Sequence, residues 1–175
     1  MTGADDRTPI LIGAGATTDM TTPVEQARSP FELVADVGRK ALADCGAPAM
    51  ADAIDTIALL RFFADTSHRF ATKLGASSNP PRSVTKRLGI APAREIYTWN
   101  GGNMPQYLVN WFSEEIARGR MRAALICGGE ALRTQHGAER AGIQGVWNED
   151  PGGSPELVGE SKRGWSDHED AHGLR

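Results

Sequence analysis

Short apolar runs closed by glycine, proline or polar turns recur along the chain at residues 9–15, 56–63, 94–99 and 123–127. Each has the length and composition of a strand. The run Thr56-Ile57-Ala58-Leu59-Leu60-Arg61-Phe62-Phe63 is too continuously apolar for a half-exposed strand and suits one covered on both faces. Between the runs lie helical signals. Ser29-Pro30-Phe31-Glu32 combines a capping serine, a proline at the first helical position and the glutamate of a capping box. Val34, Val37, Ala41 and Cys45 follow on one face, and Gly46 supplies the stop. Cys45 on that stripe reads as a small packing residue. Ser78-Asn79-Pro80-Pro81 opens a second helix, through Val84 and Leu88 to Gly89. A third, over 107–117, carries Tyr107, Leu108, Val109, Trp111, Phe112 and Ile116 around more than half its circumference. A helix so apolar is expected to lie between layers or in an interface.

Strands separated by helices predict an α/β fold, a mainly parallel sheet with helices on both faces. Beyond about residue 138 no period survives. Residues 148–170 hold Glu149, Asp150, Glu156, Glu160, Asp167, Glu169 and Asp170 against Lys162 and Arg163. The expected organisation is a domain over 1–137, then a Gly-rich acidic tail over 138–175 with no further strand.

Composition narrows the function. At 175 residues the chain is one domain's worth, and its net charge of -3 gives no electrostatic case for nucleic acid or an anionic membrane surface. No apolar run is long enough to span a membrane, and the polar start is not that of a signal peptide. Cys45 and Cys127 form neither a disulfide framework nor a metal-ligand spacing, which makes a reduced, cytoplasmic setting the expectation.

The chemistry concentrates where the strand run at 94–99 meets the third helix, at Asn100-Gly101-Gly102-Asn103-Met104-Pro105-Gln106. Strand-to-helix elbows are where α/β enzymes present a nucleophile to the first free helical N–H groups. Here Gly101, Gly102 and Asn103 stand at the elbow, without Cys or Ser. Backbone N–H groups can still hold a carbonyl oxygen, glycines let a ligand approach, and Asn103 either caps the helix or contacts the ligand. A second strand and Gly128-Gly129-Glu130 follow, and Glu130 can orient the elbow through hydrogen bonds.

The segments 9–15, 29–46, Asn79-Pro80-Pro81-Arg82 and above all 101–133 together resemble the N-terminal half of the thiolase superfamily. The similarity is greatest to the acetyl-CoA acetyltransferase-like, sterol-carrier-protein-type branch. The resemblance implies a layered α-β-α half-body and acyl-CoA chemistry: acyl transfer, or carbon–carbon bond formation or cleavage. It places the family's nucleophilic cysteine at about Gly102, so this chain alone is expected to be inactive, lacking that thiolate and the C-terminal half with its base. The same resemblance implies acyl-CoA as ligand, with no tightly bound cofactor. Arg82 and Lys86 are candidates for coenzyme A phosphates. The partner is expected to be a second copy or a separate C-terminal-half, thiolase-type chain, because the apolar third helix would otherwise be bare. Alternatives are a non-catalytic acyl-CoA-binding or assembly subunit and a thiolase-like aldolase component acting with a partner.

Two further motifs point elsewhere. His168-Glu169-Asp170-Ala171-His172 matches the H-E-x-x-H zinc-peptidase pattern, but no apolar helix precedes it and no third ligand follows, so a solvated acidic segment is the favoured reading. Gly13-Ala14-Gly15 after an apolar run lacks the third glycine and the adjoining helix of a dinucleotide site.

Overall fold

The computed structural model describes residues 6–26, 28–66, 68–99, 101–159 and 171–172. The order of elements is α1 (Pro30–Asp44), α2 (Met50–Ala53), β1 (Thr56–Leu59), α3 (Pro80–Leu88), β2 (Arg94–Thr98), α4 (Met104–Ala117), β3 (Ala124–Cys127), α5 (Leu132–Arg140) and β4 (Glu156–Val158). The strands form one parallel sheet in the order β3-β1-β2-β4, with Thr56 opposite both Arg94 and Ala124. Because side chains alternate across a strand, the two sheet faces carry different cores. Ile57, Leu59, Tyr97, Leu125 and Cys127 pack with Phe31, Val34 and Val84 on the α1/α3 side. Ala58 and Ile96 pack with Leu108, Phe112 and Met121 on the α4 side. The α/β fold with a parallel sheet covered on both faces is as the sequence predicts.

Local signals acted where tertiary contacts agree with them. In α1 the Ser29 hydroxyl accepts from the Glu32 N–H (3.2 Å), and the Glu32 carboxylate accepts from the Ser29 N–H (2.7 Å), a complete capping box. α3 begins under the Asn79 side chain, which accepts from the Arg82 N–H, and ends at Gly89 in the left-handed region (φ 71°).

Four expectations are corrected. The run 9–15 is not a strand: Ile10 and Leu11 are 73% and 90% exposed, and no described strand pairs with it. Its glycines rest on α1 instead, since a Cβ on Gly13 would stand 2.3 Å from the Ala41 carbonyl oxygen and one on Gly15 2.5 Å from that of Val37. Hence Val37, Ala41 and Cys45 serve this segment, while Phe31, Val34, Ala35 and Gly38 form the buried stripe of α1. The segment 138–175 is not without a strand, because α5 runs into it to Arg140 and β4 adds a strand beside β2. Three residues are too few to show a period, and β4 is held by its backbone ladder with β2, with the Arg94–Glu156 ion pair (2.8 Å) beside it. Finally, α4 does not lie between two layers within this chain. Met104, Leu108 and Phe112 are buried, whereas Tyr107 and Val109 are about half exposed, at 48% and 47%.

Candidate functional site

In a parallel sheet all strands end at one edge. The Gly101-Gly102 elbow follows β2 and leads into α4, as expected. Gly101 has φ 153°, and a Cβ there would meet the Asn103 Oδ1 at 2.7 Å, so this position needs glycine. Gly102 differs: its φ lies outside the left-handed region, the residue is exposed, and nothing stands within 4 Å of the place its Cβ would occupy. A side chain fits there without strain.

Asn103 occupies the N-cap position of α4 but makes no side-chain capping bond. The expected alternative of a simple cap therefore fails, and the Asn103 amide is exposed at the elbow. The Met104 N–H closes a turn on the Gly101 carbonyl (3.1 Å) and the Tyr107 N–H bonds the Asn103 carbonyl (3.0 Å). The backbone N–H groups of Gly102, Asn103 and Gln106 donate to no protein acceptor among the described residues. These are the orphan donors of a helix start, turned to solvent at the sheet edge. Asn100 lies outside the described residues.

Neither cysteine reaches this place. Cys127 closes β3, is buried, and has its thiol pushed up to about 12 by burial. Cys45 caps the far end of α1 and is half-buried. In mildly alkaline buffer iodoacetamide should label Cys45 and spare Cys127 until urea unfolds the chain. Equal labelling of both in the native protein would contradict the buried position of Cys127.

The other expected site residues are spent on structure. Arg82 pairs with Glu95 (2.8 Å) and donates to the Gly152 carbonyl (3.1 Å), while Lys86 donates to the Pro151 carbonyl (3.0 Å). Both lie on α3, on the opposite sheet face from α4, where they anchor the 151–152 loop. Glu130 does not orient the elbow; its carboxylate accepts from the Phe63 N–H (2.7 Å). Burial raises its pKa above the ordinary carboxylate range, only partly offset by that hydrogen bond. His168 and Glu169 lie outside the described residues, and His172 is exposed.

A cluster that sequence reading missed follows β1. The Tyr97 hydroxyl donates to the Asp65 carboxylate (2.5 Å) and accepts from the Phe62 N–H (3.0 Å). Burial and then the Asp65 charge hold the phenol above its usual range, so it stays protonated and a donor. Arg61 lies over the rings of Tyr97 and Trp99, at 4.5 and 4.4 Å from their centroids. Its Nε donates to the Thr98 carbonyl (2.8 Å) and one terminal nitrogen to the Asp65 carbonyl (3.2 Å). The available signal was one charge inside an apolar run, Leu60-Arg61-Phe62-Phe63.

The layered sheet, the elbow between β2 and α4, and the glycine turn after β3 define a thiolase-like α/β fold. The comparison with solved structures agrees: the chain is similar to a monomeric SCP2-thiolase-like protein type 1 from Mycobacterium smegmatis, at 36% identity and a TM-score of 0.59. The match covers 72% of this chain and 24% of that one, so the chain spans about a quarter of the solved structure's length. The thiolase resemblance read from the sequence is thereby borne out. No protein-family model matches the chain, and no curated protein does. No helix among the described residues is long and apolar enough to cross a membrane.

Proposed function

We propose that this chain supplies the elbow of a thiolase-like acyl-CoA site, holding a thioester carbonyl without attacking it. The observation that carries this reading is the open, exposed Gly102 at the start of α4, beside backbone donors that no group among the described residues uses. Such donors stabilise a carbonyl oxygen as negative charge develops on it. Covalent acyl transfer needs a thiolate, which glycine cannot provide. Acyl transfer, or carbon–carbon bond formation or cleavage, therefore requires a nucleophile and base from another polypeptide segment or chain. The exposed Tyr107 and Val109 on α4 favour such a partner, either a second copy or a thiolase-type chain.

Acetyl-CoA tests the proposal. The wild-type protein should bind it, measured by calorimetry, and leave the thioester intact. In Gly102→Cys the new thiolate should attack the acetyl carbonyl, expel the coenzyme A thiolate, and leave an acetyl thioester on residue 102 that mass spectrometry detects. Gly101→Cys, strained at φ 153°, should acquire none. Absence of binding to wild type, or thioester cleavage by wild type, would overturn the reading.

A further inference from the structure

Arg61 is distinguished among the described arginines by lying over two aromatic rings at once. Arg82, Arg87, Arg94 and Arg120 each face a carboxylate. Arg61 forms no ion pair among the described residues, although it is half-buried. Two backbone carbonyls and two aromatic rings fix the plane of its guanidinium, and its second terminal nitrogen, Nη2, has no acceptor among the described residues. A guanidinium immobilised in this way has already lost the side-chain freedom that binding would otherwise cost. It lines an open cleft of about 390 Å³, within the range of small-molecule sites. Ser154 edges that cleft, and Pro80, Pro155 and Leu157 supply apolar surface. Asp65 also lines it, with its carboxylate held by the Tyr97 hydroxyl.

We infer that this cleft binds a small organic molecule through a carboxylate or phosphate oxyanion that pairs with Arg61, its body resting on Pro80, Pro155 and Leu157. The charge-assisted bond to Nη2 gives the site its sign, and the ring-stacked guanidinium gives it its orientation. The inference stands apart from the thioester reading, since the cleft lies on the α1/α3 side of the sheet and uses none of the elbow donors.

Calorimetric titration of the full chain with glutarate, and separately with methyl phosphate, tests it. Binding of either probe at one site supports the proposal, and the arm that binds identifies the oxyanion. Arg61→Gln should abolish it. Should that variant fail to fold, Ser154→Asp decides. Ser154 is exposed, and a carboxylate there should weaken binding roughly tenfold, as expected when one charge-assisted contact is opposed. Failure of both probes to bind wild type, or unchanged affinity in Ser154→Asp, would overturn it. Neither probe carries a thioester and neither variant touches Gly102, so this outcome and that of the acetyl-CoA experiment are separable.

Discussion

Leu108→Ala is expected to destabilise the fold by about 3 kcal/mol or more, because a fully buried leucine leaves a cavity that its neighbours only partly fill. Leu108 is 0% exposed and is the central knob by which α4 meets Ala58 and Ile96 of the sheet and Met121 of the α4–β3 loop. Urea denaturation followed by circular dichroism measures the loss as a lowered midpoint at constant slope. One residue along the same helix, Val109→Ala should change stability by less than about 0.5 kcal/mol, since that side chain faces outward. The pair tests the one-sided packing of α4. Similar losses at both positions would show α4 covered on both sides in solution, as a self-associated chain requires. Repeating the measurement over a range of protein concentrations would then identify the association.

Arg82→Ala is expected to cost about 2 kcal/mol, less than the loss of a partner from a fully buried pair because Arg82 is itself partly exposed. The reason lies with Glu95, whose side chain is only 10% exposed. Its carboxylate takes the Arg82 guanidinium through Nε (2.9 Å) and the neighbouring nitrogen (2.8 Å), with Asn79 and Thr85 at longer range. Removing Arg82 strands that charge and also releases the Gly152 carbonyl. Replacing both partners, as Arg82→Met with Glu95→Leu, should recover most of the loss, since the penalty belongs to the stranded charge rather than to the ion pair itself. A double variant as unstable as the single one would instead assign the effect to the 151–152 loop and its strand β4.

Much of the frame was legible because it rests on local chemistry. Ser29 and Glu32 satisfy helix-end donors with atoms three residues apart, and Pro30 at the first position has none to satisfy, so no distant contact is needed to start α1. Pro80 and Gly89 bracket α3 for equally local reasons. The elbow's position between strand and helix followed from the switch in apolar period at Asn100-Gly101-Gly102. The Arg61 cluster was hidden because its members are brought together by strand pairing. Leu59 opposite Tyr97 in the β1–β2 register sets Arg61 and Asp65 beside Tyr97, a relation across more than thirty positions that no local pattern encodes.

The run 9–15 shows the converse. An apolar run has the propensity of a strand, but a strand exists only where a neighbour offers its ladder, and here two glycines lay the backbone against α1 instead. By itself the sequence determined the start and end of α1 and α3, the α/β alternation of β1 to β3 with their helices, and the place of the Gly101-Gly102 elbow between strand and helix. Only the tertiary structure decided the strand order β3-β1-β2-β4, which helix face stays bare, and that Arg82 and Lys86 hold a loop while Arg61 faces an open cleft. Propensity and capping act between residues a few positions apart, whereas an arginine's partner depends on which strands lie side by side.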